Sequence, residues 1–219
     1  LERYHDAIRQ FESALAKRPK CEEALYQKGR ALALLGMHHE AIASYDRALA
    51  LNDRIAEALL YRGISHAHLD DYSLALADYD RALALNGDFA APYLFRGIAQ
   101  IHMEQYREAL TNIDAALALQ PEYPEAYYHK GVALLKTERY DDAILAFDHA
   151  LEFNNQYAEA LYFKGIAQTR IQRYEEAITS FNAVLALQRE FSDAIYERGR
   201  ALFFLNRFRE AITSFDQVL

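Results

Sequence analysis

The chain has 219 residues, of which 52% are hydrophobic and 26% charged, so it is long enough and apolar enough for a packed core and too ordered in composition for intrinsic disorder. Its net charge of −8 argues against nucleic acid as the main partner, because affinity there rests on neutralising phosphates. Cys21 stands alone, which excludes an internal disulfide framework and a cysteine metal cluster, and no apolar run approaches the ~18 residues of a membrane span.

Taken in chain order, the same few residue types return at one interval. The first segment carries Ala7 and Phe11, and Pro19 follows where a helix has ended. Next come Gly29, Ala41 and Tyr45, with Gly36 between them. The following stretch repeats the set as Gly63, Ala75 and Tyr79, closed by Gly87. Pro92 lies at a helix start, and Gly97, Ala109 and Ile113 follow. Pro121 and Pro124 precede Gly131, Ala143 and Phe147; then come Gly165, Ala177 and Phe181, and last Gly199, Ala211 and Phe215. Each marker recurs every 34 residues, and six of the eight glycines belong to the series. Within residues 56–89, Leu59, Gly63 and His66 fall at i, i+4, i+7, and Tyr72, Ala75, Leu76, Tyr79, Ala82 and Leu83 obey the same rule. These are helical stripes, separated by a polar break at Leu69-Asp70-Asp71. The unit is a helix–turn–helix with two helices of about 14 residues. Gly63 and Ala75 are expected to let its two helices approach closely, with Tyr79 filling the space beside them. One such pair cannot bury its apolar face alone, so copies must stack.

The period, the small residue of the first helix, the alanine of the second and the later aromatic resemble the tetratricopeptide repeat (TPR) family along the whole chain. The resemblance implies an all-α fold, an α-solenoid built as a right-handed superhelix of antiparallel helix pairs. It divides the chain into one array, 1–219: complete repeats at 22–55, 56–89, 90–123, 124–157 and 158–191, a nearly complete one at 192–219, and the second helix of a truncated repeat at 1–21. Two departures stand out. The family's early Trp is replaced by Leu25, Leu59, Tyr93, Tyr127, Leu161 and Ile195, and its later first-helix Tyr by Leu32, His66, Gln100, Leu134, Gln168 and Leu202. The polar members of the second set need partners if they are buried.

Catalytic chemistry is not visible. The sequence holds no G-x-G-x-x-G, P-loop, G-x-S-x-G or H-E-x-x-H motif. His38-His39 lies at a helix–helix turn, His66 and His68 diverge on one helix, and His68 and His102 lie on successive first helices about 8–10 Å apart, too far to share one metal easily. Glu22-Glu23 and Glu175-Glu176 sit at helix starts, where they complement the helix dipole. No catalytic residue, cofactor or metal is expected.

TPR arrays resembling this one bind partners on the side lined by first helices. The stripe at repeat positions 2, 6, 9 and 13 reads Glu57-Tyr61-Ile64-His68, Ala91-Phe95-Ile98-His102, Glu125-His129-Val132-Lys136 and Glu159-Phe163-Ile166-Arg170. One rim is mostly acidic, the floor is apolar and aromatic, and the other rim is basic or His. Ile64, Ile98, Val132 and Ile166 also suit packing between first helices, whereas Tyr61, Phe95 and Phe163 are expected to face an open groove that a partner covers. The Lys–Asn set of chaperone-tail clamps is missing, because the matching residues are Tyr26, Leu60, Leu94, Tyr128, Tyr162 and Tyr196, then Arg30, Ile64, Ile98, Val132, Ile166 and Arg200. The Asn ladder of peptide-backbone readers is missing too.

The expected function is a non-catalytic scaffold for an apolar or amphipathic protein segment, a helix being favoured, with no membrane insertion and a cytoplasmic setting. Two alternatives remain open: a regulatory or substrate-recruiting arm of a larger enzyme, and a homo-oligomeric assembly module. End-to-end association is expected from Ile8, Phe11, Leu15, Phe215 and Leu219, apolar stripe residues left partly uncovered at repeat ends that lack a polar capping helix.

Overall fold

The computed structural model describes residues 2–218, and every regular element among them is a helix. The residues fall into two units, 1–105 and 106–219. The first holds α1 (Glu2–Lys17), α2 (Glu22–Leu34), α3 (His38–Leu51), α4 (Ala56–His68), α5 (Tyr72–Leu85) and α6 (Ala90–His102). The second holds α7 (Tyr106–Leu119), α8 (Pro124–Lys136), α9 (Tyr140–Phe153), α10 (Ala158–Arg170), α11 (Tyr174–Leu187), α12 (Ser192–Phe204) and α13 (Phe208–Asp216). The expectation of an all-α solenoid is met; that Leu219 is uncovered lies outside the described residues.

Within each unit, helices pack on their neighbours in sequence. The tightest pairs are α2–α3 and α4–α5 in the first unit, and α8–α9 and α10–α11 in the second. First helices of successive pairs also meet, α2 with α4, α4 with α6, α8 with α10 and α10 with α12. Among the described residues, α3 and α5, or α9 and α11, make no such contact. The first helices therefore occupy the inner, more crowded side of each unit.

The close approach inside a pair differs in detail from the expected Gly–Ala contact. The glycine faces the aromatic ring itself. A Cβ built on Gly63 would lie 2.6 Å from Cε1 of Tyr79 and 3.2 Å from the Ala75 carbonyl oxygen. On Gly29 it would lie 2.5 Å from Tyr45, on Gly131 2.5 Å from Phe147, on Gly165 2.6 Å from Phe181 and on Gly199 2.6 Å from Phe215. Tyr45, Tyr79, Phe147 and Phe181 are completely buried, as are Ala41, Ala75, Ala143 and Ala177, so the rings have nowhere to retreat.

The turn inside each pair has one form. At positions 36, 70, 104, 138, 172 and 206, the backbone enters the left-handed region, with φ between 59° and 77°. The N–H of the following residue reaches back five residues, as in Asp71 to His66 (2.9 Å) and Arg139 to Leu134 (2.9 Å), while the left-handed residue's own N–H bonds three back. This Schellman closure satisfies the last carbonyls and lets the next helix begin at once. Only the first copy uses Gly, Gly36; the others use Asp70, Glu104, Glu138, Gln172 and Asn206. Between pairs, Asn52, Asn86 and Asn154 each accept a hydrogen bond through the side-chain oxygen from the N–H two residues on, at 3.1, 3.1 and 3.2 Å. These bonds hold the extended backbone that turns the chain into the next first helix.

A ladder of ion pairs joins the second helices α1, α3, α5, α7 and α9 to the first helix that follows each of them. Its rungs are Glu12–Lys28 (2.8 Å), Asp46–Arg62 (2.6 Å), Asp80–Arg96 (2.6 Å), Asp114–Lys130 (2.7 Å) and Asp148–Lys164 (2.5 Å). Each pair is 16 residues apart in sequence. Arg62 goes further: its Nε donates to the buried Asp78 at 2.7 Å as well, and these bonds hold its guanidinium pKa above the ordinary value. The polar replacements in the first helices meet different fates. Gln168 is buried but satisfied, its Oε1 accepting from the Ser180 hydroxyl (2.7 Å) and its Nε2 donating to Glu176 (3.4 Å). The Nδ1 of His66 is buried with no hydrogen-bond partner.

Gly63→Ala should lower the melting temperature. Overpacking typically costs about 1–3 kcal/mol, against the ~1 kcal/mol that Ala gains in helix propensity. Gly87→Ala, whose Cβ would meet nothing nearer than 3.9 Å, should stay within about 0.5 kcal/mol of the native chain. At the left-handed turn the sign reverses. Glu138→Gly should raise the urea midpoint by about 0.5–1 kcal/mol of stability, because the roughly 1–2 kcal/mol strain of a side chain in αL exceeds the entropy that glycine adds to the unfolded chain.

Candidate functional site

The stripe singled out in the sequence lies along first helices, and each unit holds its own portion. In the first unit Tyr61, Ile64, Phe95 and Ile98 are half-buried, while Glu57, His68 and His102 are exposed. In the second, Glu125, His129, Val132, Phe163 and Ile166 are half-buried, while Lys136, Glu159 and Arg170 are exposed. The apolar members thus form a recessed floor between exposed charged or imidazole ends.

The aromatics are less open than the sequence suggested. Tyr61 lies 6.1 Å from the Tyr26 ring, and the Arg30 guanidinium sits 5.1 Å above the Tyr61 ring. Phe95 tilts against the buried Tyr79 at 6.5 Å. Phe163 stacks at 6.4 Å on the buried Phe147 and lies 6.1 Å from Tyr128. Each ring spends one face on the preceding pair, because that pair's aromatic layer is the nearest apolar surface. Val132 packs with Phe163 on the Phe147 cluster, and Ile166 joins the Phe181 cluster. Ile64 packs with Phe95 beside Tyr79. The floor therefore welds repeats together with one side and presents the other.

Electrostatics differ between the units. Burial raises the carboxyl pKa of Glu125 above the usual carboxylate range. Tyr128, nearby in the recess, is pushed up to about 12 by burial and by the charge of Glu159. Both shifts mark a recess of reduced solvation, which favours the neutral forms of these groups. The basic rim is tied down by stacking that the sequence reading did not anticipate. His68 stacks on His38 at 4.4 Å and His102 on Tyr72 at 5.4 Å; in the second unit Phe204 stacks on Tyr174 at 5.1 Å. Each ring at the end of a first helix thus rests on the residue that opens the previous second helix. Burial, then the neighbouring His68 and His39, lower the pKa of His38.

The ion ladder was also missed, although a signal was present: Lys28, Arg62, Arg96, Lys130, Lys164 and Arg198 recur at the repeat interval, as do Glu12, Asp46, Asp80, Asp114 and Asp148. At the edges, Leu15 is buried against Leu25 and its neighbours, contrary to the expectation that it is uncovered, whereas Ile8, Phe11 and Phe215 are half-buried. No group of three or more His, Cys, Asp or Glu among the described residues could hold a metal ion, and no helix among them is long and apolar enough to cross a membrane.

Comparison with known families settles the lineage. The profile described as Tetratricopeptide repeat matches residues 1–52, 35–90 and 96–158, and a second profile of that description matches 158–191. The chain belongs to the tetratricopeptide repeat family. Among solved structures it is similar to YrrB, described as a TPR protein with an unusual peptide-binding site, at 25% identity and a TM-score of 0.68, covering 80% of this chain and 90% of that one. It is also similar to MamA from Desulfovibrio magneticus RS-1 (23% identity, TM-score 0.69, covering 78% and 96%) and to pilF of Pseudomonas aeruginosa (18% identity, TM-score 0.81, covering 92% of each). At these identities the last two show the fold alone. No curated protein matches the chain significantly.

The lowered pKa of His38 is expected to make the stability of the first unit fall in acid. A His whose native pKa is lowered binds fewer protons folded than unfolded, so its contribution to stability is complete above the unfolded value of 6.5 and is lost as pH falls toward the native value. His38→Tyr, which installs the residue found at Tyr72, Tyr106, Tyr140 and Tyr174, should therefore lose less stability than the native chain between about pH 7.5 and pH 5, as read from denaturant midpoints.

Proposed function

We propose that this TPR chain is a non-catalytic protein-interaction scaffold, and that it forms one array with complete repeats at 22–55, 56–89, 90–123, 124–157 and 158–191, a nearly complete one at 192–219, and a second helix of a further repeat at 1–21. Its ligand is an apolar or amphipathic protein segment seated on the first-helix stripe. The observation that carries this reading is the recessed aromatic floor between charged ends: Tyr61, Ile64, Phe95 and Ile98 in the first unit, and His129, Val132, Phe163 and Ile166 in the second. The half-buried Glu125 and exposed Glu57 and Glu159 favour basic residues of the segment; the exposed Lys136 and Arg170 favour acidic ones, and His68 and His102 close the same rim. A floor of aliphatic and aromatic side chains with charged flanks suits a helix laid in a groove. The similarity to YrrB supports peptide binding as the mode, since that protein is described by its peptide-binding site.

A second surface supports self-association. The last helix pair exposes Phe203 (53%), Phe204 (50%), Phe208 (48%) and Ile212 (59%), a concentration of apolar side chains that soluble surfaces ordinarily cover. Sedimentation velocity over a wide concentration range should show reversible association that Phe208→Lys abolishes.

The groove is tested with a library of amphipathic helical peptides. Phe95→Ala and Phe163→Ala should each weaken a selected peptide by about 2 kcal/mol, while circular dichroism shows a helical fold. Leu145→Ala, on the exposed side of α9, should leave binding unchanged. Photo-crosslinks from the peptide to second helices instead of to the stripe would overturn the assignment.

A further inference from the structure

The ion ladder breaks at its last rung. Arg198 stands at the phase of Lys28, Arg62, Lys130 and Lys164, but the acid 16 residues before it is replaced by Asn182. The second acidic position, filled by an acid at Asp78 alone in this series, is a serine here, as it is at Ser44 and Ser180. Where Arg62 finds the Asp78 carboxylate on its Nε side, Arg198 finds Ser214. Its guanidinium touches only neutral acceptors among the described residues: Asn182 Oδ1, Ser214 Oγ and Gln217 Oε1, all at 3.2 Å. Its Nε is buried with no hydrogen-bond partner.

A cavity at this place belongs to the repeat, since one of about 280 Å³ lies beside Lys130, whose rung to Asp114 is complete; what differs at Arg198 is the missing acid. A cavity of about 250 Å³ opens beside this guanidinium, and Asn182, Arg207, Glu210, Thr213 and Ser214 line it too. Its other charges are already matched: Arg207 donates through Nε to Glu210 Oε1 at 2.8 Å and through a terminal nitrogen to Oε2 at 2.6 Å, so both carboxylate oxygens are engaged. Arg198 is left as the uncompensated cation of the cavity. A half-buried guanidinium is always charged, and a buried charge without a counter-ion is costly. Burial alone pulls its pKa below the ordinary arginine value.

We propose that Arg198 and the cavity over Ser214 form a carboxylate-binding site, which receives from outside the chain the group that Asp78 supplies internally to Arg62. The Arg62–Asp78 pair is the template. One carboxylate oxygen accepts from Nε and the other from a terminal nitrogen, the fork geometry that distinguishes a carboxylate from a monatomic anion. Ser214 carries a single hydroxyl where Asp78 carries a carboxylate, so it fills less of the space beside the guanidinium, and the ligand's carboxylate enters from the cavity. The source is an acidic side chain of a bound protein segment or a small free carboxylate, and the chemistry is shared.

The test uses the 219-residue chain and follows the Arg198 Nε–H resonance by NMR. Sodium acetate and a blocked Gly-Asp-Gly peptide are titrated at constant ionic strength, with sodium chloride and the Gly-Asn-Gly peptide as controls. Acetate and the Asp peptide should shift the resonance saturably, and the controls should not. A peptide bound about tenfold more tightly than acetate identifies a protein side chain as the source, and equal affinity a free carboxylate. Ser214→Asp should rebuild the Arg62-type pair, raise the melting temperature and weaken acetate binding at least about tenfold, because the site is then filled from within. A response to chloride equal to that for acetate, or unchanged acetate affinity in a folded Ser214→Asp chain, would overturn the proposal.

Discussion

The contact between a first-helix glycine and the aromatic ring of its partner helix governs the rest of the structure in the five repeats built on Gly29, Gly63, Gly131, Gly165 and Gly199. With Cβ positions at 2.5–2.6 Å from ring carbons, no side chain other than hydrogen fits at Gly29, Gly63, Gly131, Gly165 or Gly199. The helices of a pair can then close on a fully buried ring, and the same ring becomes the apolar surface on which the next pair rests. Phe95 leans on Tyr79 and Phe163 on Phe147. A side chain that would otherwise belong to a binding surface is drawn into the joint between repeats, so recognition and stacking share one layer of rings.

Two polar devices work around that layer. The ion pairs from Glu12–Lys28 to Asp148–Lys164 tie their second helices to the next first helix on the flank of the apolar contact. Exposed pairs of this kind contribute little energy, about 0–1 kcal/mol each. Their value lies in register, because an acid and a base 16 residues apart meet only when neighbouring repeats are correctly offset. The Asp78–Arg62 pair is a different case, since Asp78 is buried and loses its compensation if Arg62 is removed. Where the acid of the rung is dropped, at Asn182, the cavity that also accompanies the complete Asp114–Lys130 rung is left beside a cation with only neutral acceptors. In a repeat protein such departures from the common pattern are where individual chemistry resides, because the pattern itself is already committed to folding.

The turns show the same economy. The left-handed residue that closes each first helix would be least strained as Gly, and one copy has it. The other five accept strain at Asp70, Glu104, Glu138, Gln172 and Asn206, because the surrounding Schellman hydrogen bonds and the packed helices on either side leave no other path. The periodic hydrogen bonds at Asn52, Asn86 and Asn154 shape the opposite turn without glycine.

How far the fold was legible in the sequence follows from these contacts. Gly, Ala and aromatic markers at a fixed interval determine the helix pair, its period and its family, because small and large residues must alternate wherever helices close on one another. The polar and apolar stripe on first helices was equally readable, since 3.6-residue periodicity places Tyr61, Ile64 and His68 on one face. The depth of that face was not. Whether Tyr61, Phe95 and Phe163 stand open or lean on the preceding pair depends on the spacing between helices that are far apart in sequence, which no local pattern encodes. The stacking of His68 on His38, the burial that raises Glu125 and the isolation of Arg198 are likewise tertiary facts. Each arises where side chains from two or three helices converge, and one-dimensional spacing places a residue on a face without stating what that face will meet.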